Sequence, residues 1–126
     1  MLKYFETHNK LSWTITILIA IAIFYISTQT FPQGSPGPEF RLKPLIYHFS
    51  AFFFLNLFLL ISITKGKNKK LIPLAIILTI LYAISDELHQ SFVPGRHTSI
   101  SDILIDTIGI LTATIIYYLR KSSEIS

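Results

Sequence analysis

The chain has 126 residues, of which 51% are hydrophobic and only 14% are charged, whereas an ordinary soluble domain has about 25% charged residues. Eleven Lys and Arg against seven Asp and Glu leave a net charge of +4, and the mean hydropathy is +0.54. This composition excludes a disordered chain and argues against a soluble globule, because the charges are grouped between long apolar runs. Without cysteine, the chain has no disulfide framework, thiolate nucleophile or cysteine-bound metal.

Four apolar runs predict four membrane-spanning helices, because about 20 helical residues cross the hydrocarbon core of a bilayer. The third run is purely apolar only as far as Ile84, so it reaches full length only by continuing through Asp86 and Glu87. The first run has no small-residue cleavage site after it, so we interpret it as a retained helix rather than a signal peptide. The expected fold is an all-α, four-helix transmembrane bundle in one domain, residues 1–126, with helices over about residues 11–28, 45–63, 71–90 and 102–119.

The lysines and arginines of the short loops predict the orientation. Eight lie before the first helix, in residues 65–70 and after the last helix, whereas three (Arg41, Lys43 and Arg96) lie on the other side. By the positive-inside rule, both termini are expected in the cytoplasm. We interpret the lysine-rich loop as a determinant of topology rather than a nucleic-acid site.

Turn residues mark the loops on the predicted outer side. Residues 31–38 are rich in Pro and Gly and cannot be helical. Pro44 is expected near the start of the second helix, where its missing N–H costs nothing. Pro94-Gly95 marks a turn in the second outer loop, and residues 99–102 have the spacing of a capping box that opens the fourth helix.

Polar side chains are concentrated in the predicted outer half of the membrane, where they are costly and usually face the bundle interior. The set comprises His48, Asp86, Glu87, His89, Gln90, Arg96, His97, Asp102 and Asp106. Asn56 lies about two turns below His48 on the same face, and Gly109 with Ala113 predicts close helix packing. We expect His89 and His97 to be exposed interface residues.

Several chemical roles fit these residues. His48 suits a hydrogen bond to a carboxylate, Asp106 suits an ion pair with Arg96, and Asp102 suits the third position of a helix cap. Glu87 or Asp106 with His48 could perform acid–base catalysis, and Arg96 suits a planar anion. There is no H-E-x-x-H spacing, so we assign no metal. A site formed by His48, Glu87 and an aspartate would require these residues to converge in space.

The segment over residues 86–102 (DELHQSFVPGRHTSISD) resembles the VanZ-like family of small bacterial membrane proteins. It is similar to the family pattern of an acidic pair, Gln, an aromatic residue, Pro-Gly-Arg, Ser and Asp, and residues 47–49 are similar to the family's histidine-phenylalanine element. The chain departs from the pattern at Asp106, where the family usually has Asn, and at Ala113, where a small residue, often Gly, is common. Lys43, five residues before His48, does not clearly match the family's lysine.

The resemblance implies a multi-pass protein of the bacterial cytoplasmic membrane, with an envelope role akin to resistance to the glycopeptide teicoplanin. It implies membrane lipids, and a lipid-linked cell-wall precursor or lipoglycopeptide, as partners, with no nucleic acid and no cofactor. The positions that match the motif, and that we expect to bind the ligand, are His48, Glu87, Gln90, Arg96, Ser99, Asp102 and Asp106. An enzyme acting on a lipid or cell-wall precursor, and a structural or scaffold protein, remain as alternatives.

Overall fold

The computed structural model describes residues 2–30, 39–96 and 98–124, and within these residues the chain is helical with no strand. The elements are α1 (Leu2–Thr7), α2 (Asn9–Ser27), α3 (Glu39–Thr64), a 3-10 turn (Lys69–Leu71), α4 (Ile72–Ser91) and α5 (Ile100–Ser123). Helices α2 to α5 are long and apolar enough to cross a membrane. The all-helical fold with four helices able to span a membrane is therefore confirmed for the described residues, whereas the cytoplasmic placement of the termini and the single domain stay predictions.

The helices differ from the predicted ones mainly at their ends. Helix α3 begins at Glu39, so Pro44 lies inside it rather than near its start, and the backbone there lacks one N–H donor. Helix α5 extends past residue 119, and its last turn carries Arg120 and Lys121, which favour a helix C-terminus. The short helix α1 was not predicted, because six residues give no useful apolar period. The predicted loop over residues 31–38 lies outside the described residues.

Helix α3 is the centre of the bundle, since it packs against α1, α2, α4 and α5. The buried core on its faces has two parts. One part contains Leu59, Leu60, Ile61, Ile72, Ala75 and Tyr117, and the other contains Ile23, Phe52, Leu55, Ala83 and Ile110. Large apolar side chains such as Ile17, Leu81 and Ile115 are exposed on the outer faces, as expected where helices meet lipid.

Gly109 permits a close approach of α3 and α5. A Cβ atom at this position would lie 2.5 Å from the carbonyl oxygen of Phe49 and 3.2 Å from the backbone nitrogen of Phe53. Ala113, one turn further along α5, is fully buried. The close packing predicted from this pair of small residues is confirmed, and it sets the distance between the helices that carry His48 and Asp106.

Asn56 joins three spans in the middle of the bundle. Its Nδ2 donates to the carbonyl oxygen of Ile110 at 2.9 Å and to Thr114 Oγ1 at 2.8 Å. Its Oδ1 accepts from the hydroxyl of Thr79 at 3.1 Å. Such hydrogen bonds between membrane helices contribute on the order of 0.6–2 kcal/mol, so this buried amide fixes the register of α3, α4 and α5.

Helix α1 and the C-terminal turn of α5 lie together at the end where the lysine-rich residues 65–70 join α3 to α4; we call this the lysine end. Glu6 binds Lys121 Nζ at 2.5 Å and accepts from the Tyr117 hydroxyl at 3.2 Å. Lys121 also binds the exposed Glu124 at 2.7 Å and lowers the pKa of that carboxyl. Both chain ends are thus tied to one end of the bundle.

Candidate functional site

The opposite end of the bundle, where residues 92–99 join α4 to α5, holds the predicted polar residues; we call it the polar end. Helix α3 supplies His48, α4 supplies Glu87, and α5 supplies Asp102 and Asp106. His48 and Glu87 are each 4% exposed and Asp106 is fully buried. Because ionisable groups in a membrane helix are costly, their burial together requires mutual pairing or a bound partner.

A hydrogen bond between His48 and Asp106 joins α3 to α5. Nδ1 of His48 lies 3.0 Å from Oδ1 of Asp106, and both side chains are buried. The other carboxylate oxygen, Asp106 Oδ2, is buried without a hydrogen-bond partner among the described residues. The predicted bond between His48 and a carboxylate is therefore present, and Asp106 has this partner rather than the Arg96 that the sequence also suggested.

Glu87 binds the start of α5 through the backbone. Its Oε2 accepts the backbone N–H of Ser99 at 3.1 Å. Ser99 is the N-cap of α5, as predicted, and its side chain accepts from the backbone N–H of Ser101 at 3.2 Å. In a capping box, the third helical residue would take the Ser99 N–H. Here Glu87 takes it instead, so the carboxylate of Asp102 is not used for that contact.

Arg96 ties the loop at the polar end to α2. Its Nε donates to the carbonyl oxygen of Gln29 at 3.0 Å, and NH2 donates to that of Ile26 at 2.5 Å. NH1 donates to Gln90 Oε1 at 3.2 Å, and Gln90 Nε2 donates to Asp86 Oδ2 at 2.9 Å. These contacts give Arg96 and Gln90 a structural role, while their binding of a ligand stays a prediction.

Two further histidines were predicted to be exposed at this end. His89 is half-buried rather than exposed, because its ring packs against Phe24 with 4.7 Å between ring centroids. Its Nε2 is buried without a partner among the described residues. His97 lies outside the described residues.

Three of the polar residues are close enough to hold one metal ion. One ligand atom each from His48, Glu87 and Asp102 lie within 4.8 Å of one another. Sequence spacing assigned no metal and left this convergence open, without deciding which aspartate would take part. In the structure, Asp102 is the aspartate that joins the group. Asp106 instead binds Nδ1 of His48. The same arrangement can perform acid–base chemistry, since a histidine bound by one carboxylate lies within 4.8 Å of a second.

An open apolar groove of about 560 Å³ runs beside the polar end, between α2 and α3. Ile19, Tyr47 and Phe54 line it, together with Lys43. The sequence gave no signal for this groove, because its walls come from two helices whose apolar faces look alike. Its lining suits an acyl or isoprenoid chain, with a cationic side chain available to a head group.

One of three comparisons with known proteins gives a match. A family model described as VanZ/LLP1 matches residues 5–121, which is nearly the whole described chain. No curated protein sequence and no solved structure gives a significant match.

Proposed function

This chain belongs to the VanZ-like family, and on that premise we propose that it protects the bacterial envelope by binding a lipid-linked ligand at the polar end. The proposal includes resistance to teicoplanin, the role that the family name suggests. The ligand's head group would contact His48, Glu87 and Asp102, and its apolar chain would lie in the groove between α2 and α3.

The observation that carries this proposal is the presence of unsatisfied carboxylate oxygens in a buried polar group. Glu87 Oε1 and Asp106 Oδ2 are buried without hydrogen-bond partners among the described residues. A buried polar atom that lacks a partner costs about 1–3 kcal/mol, and more when it is charged. A protein selected only for stability would gain by pairing them, so their retention supports binding of something else at this end.

A purely structural role explains only part of the polar end. The contacts of Arg96 with Ile26 and Gln29 join the loop to α2, as expected of a scaffold. A structural role does not account for Glu87 Oε1, because this buried oxygen makes no hydrogen bond to another helix among the described residues. We therefore favour ligand binding over the scaffold alternative.

The pair of His48 and Asp106 supports an enzyme as a second candidate. A carboxylate that orients a histidine is a common arrangement for acid–base catalysis, and an oxygen of Glu87 lies within 4.8 Å of a ring nitrogen of His48. Its substrate would be a lipid or cell-wall precursor. Incubation of the purified protein with a bacterial lipid extract, followed by mass spectrometry, should then show a product that Glu87→Gln abolishes.

The experiment that tests the leading proposal is the teicoplanin susceptibility of a sensitive bacterium expressing wild-type protein or a single variant. We expect wild type to raise the inhibitory concentration and Glu87→Gln to remove that protection. Asp86→Asn is the matched control, because it also replaces a carboxylate with an amide, one residue earlier in α4. The amide oxygen can still accept the hydrogen bond from Gln90.

Membrane levels of the three proteins must be equalised by immunoblot. Equal protection by Glu87→Gln and wild type would overturn the assignment of the polar end. No protection by wild type would overturn the teicoplanin role itself.

A further inference from the structure

We propose that His48, Glu87 and Asp102 form a binding site for a divalent cation such as Zn²⁺ or Mn²⁺, and that Asp106 is its positioning residue. One ligand atom from each of the three lies within 4.8 Å of the others, a spacing that one cation with bonds of about 2.0–2.6 Å can bridge. The ligands come from α3, α4 and α5, so a bound ion would join three helices.

The contact of His48 with Asp106 prepares the imidazole for a metal. Nδ1 lies 3.0 Å from Asp106 Oδ1, so its proton is held there and the lone pair is left on Nε2. Metal-binding histidines almost always donate their second ring N–H to a carboxylate, a carbonyl or water in this way. Among the described residues, Nε2 has no hydrogen-bond partner, so it remains available for coordination.

Glu87 provides a second, independent indication of a ligand. Its side chain is 4% exposed, and Oε1 is buried without a partner. Oε2 is oriented by the backbone N–H of Ser99, as ligating carboxylates usually are by neighbouring donors. Because this contact replaces the reciprocal half of the capping box, Asp102 is left to share the ion with Glu87.

Charge at the polar end also favours a cation. Glu87 and Asp102 each have an oxygen within 4.8 Å of a ring nitrogen of His48, and Asp106 binds Nδ1 of the same ring at 3.0 Å. Neighbouring carboxylates repel one another, and two of these three, Glu87 and Asp106, are buried. A divalent ion would offset that repulsion and satisfy the unpartnered oxygen.

The ligand types indicate which ions fit. Mg²⁺ and Ca²⁺ bind mainly to oxygen, whereas an imidazole nitrogen favours Zn²⁺ and related transition metals, and carboxylates also suit Mn²⁺. Three protein ligands leave coordination positions open, as in catalytic rather than structural zinc sites.

If the proposed function holds, an open position would accept a phosphate oxygen of the head group, which explains how an acidic site could hold an anion. The metal site itself does not depend on that step.

The test uses the full chain in detergent micelles, freed of metal with EDTA and titrated with Mn²⁺ by electron paramagnetic resonance, with Zn²⁺ as competitor. We expect one ion per chain, displaced by Zn²⁺ and not by Ca²⁺. Glu87→Gln and Asp102→Asn should each weaken binding by roughly 100-fold. The control Asp86→Asn, on the same helix but outside the three ligands, should change affinity by less than about threefold.

The positioning role of Asp106 is tested by two substitutions, one that keeps an acceptor for the N–H at His48 Nδ1 and one that removes it. Asp106→Asn retains an oxygen and should keep binding within about tenfold of wild type, whereas Asp106→Leu should lose 10–100-fold. Pulsed resonance on wild type, which does not depend on any variant folding, should detect one coupled imidazole nitrogen. No bound ion, no nitrogen coupling, or equal affinity in the ligand variants would overturn the metal site. A metal-binding protein that gives no teicoplanin protection would overturn the proposed function alone.

Discussion

Arg96 shows how a single side chain positions the polar end. Its guanidinium reaches two carbonyl oxygens near the C-terminal end of α2, those of Ile26 and Gln29, and the amide of Gln90. The last carbonyls of a helix have no partner within the helix, and a cation there also interacts favourably with the helix dipole. Arg96 therefore binds the chain at the C-terminal end of α2 and fixes the loop before α5 with one residue.

We predict that Arg96→Lys destabilises the protein although it keeps the charge. A lysine ammonium lacks the planar fork that reaches several acceptors at fixed angles. Losing one or two charge-assisted hydrogen bonds should lower the midpoint of thermal unfolding in detergent by about 5–10 °C. Arg120→Lys changes an exposed residue at the end of α5. It is the control, and its unfolding midpoint should equal that of wild type. If Arg96→Lys and Arg120→Lys had the same midpoint, this role of Arg96 would be contradicted.

Single residues of the site were predictable by type and position, but their partners were not. Arg96 was expected to meet an anion, yet two of its acceptors are backbone carbonyls 67 and 70 residues earlier in the chain. Every residue carries such a carbonyl, so no sequence pattern marks the two that Arg96 binds. The choice between Asp102 and Asp106 as neighbour of Glu87 likewise depends on helix rotation, which a spacing of four residues does not determine.

At the scale of elements, the contact of α3 with α5 controls the polar end. Gly109 lies on α5 one turn beyond Asp106, and its neighbour across the contact is Phe49, next to His48. The helices can approach this closely only because position 109 has no Cβ, which would lie 2.5 Å from the Phe49 carbonyl oxygen. The pair of His48 and Asp106 thus depends on a residue that touches neither.

We predict that Gly109→Ala forces α3 and α5 apart. Ordinary contact requires about 3.4 Å or more, so a backbone shift near 1 Å is needed, and overpacking of this kind costs about 1–3 kcal/mol. The thermal midpoint in detergent should fall, and Mn²⁺ affinity should fall with it, because His48 moves relative to α5. Leu111→Ala, two residues along on an exposed face, should leave metal affinity unchanged. Wild-type affinity in Gly109→Ala would show that the helices are not so closely coupled.

The spans were predictable because lipid leaves few solutions for the backbone. A chain segment in the hydrocarbon core has no water to bind, so its backbone N–H and C=O groups must form hydrogen bonds with each other. A long apolar run is therefore expected to be a helix. Helix ends were less predictable: α3 begins before Pro44, although a proline inside a helix removes one backbone hydrogen bond. The short α1 is held by tertiary contacts of Glu6 with Lys121 and Tyr117. Contacts between residues so far apart in the chain cannot be predicted from the local apolar pattern.

The whole molecule has two chemically different ends. The lysine end carries both chain ends and the loop with Lys65, Lys67, Lys69 and Lys70, whereas the polar end carries the buried acids and His48. A charge distribution of this kind orients a membrane protein with its lysines in the cytoplasm. The polar end would then face outward, where an envelope ligand is found, so the proposed function depends on this orientation.

We predict that the polar end is accessible from outside the cell. The natural chain has no cysteine, so Thr98→Cys and Ser122→Cys each introduce a single thiol at an exposed position. Thr98 lies just before α5 and Ser122 lies in its last turn, and neither change alters a lysine or an arginine. A membrane-impermeant maleimide should label Thr98→Cys in intact cells, and Ser122→Cys only after permeabilisation.

The orientation test has a built-in control, because the cysteine-free wild type must remain unlabelled under both conditions. The reverse pattern, with Ser122→Cys labelled in intact cells, would place the polar end in the cytoplasm. Binding of an outer-leaflet ligand would then be excluded, while the cation site would stand, because its three ligands converge from α3, α4 and α5 whichever way the bundle is inserted. Labelling therefore separates what depends on the membrane from what depends only on the packing of the helices.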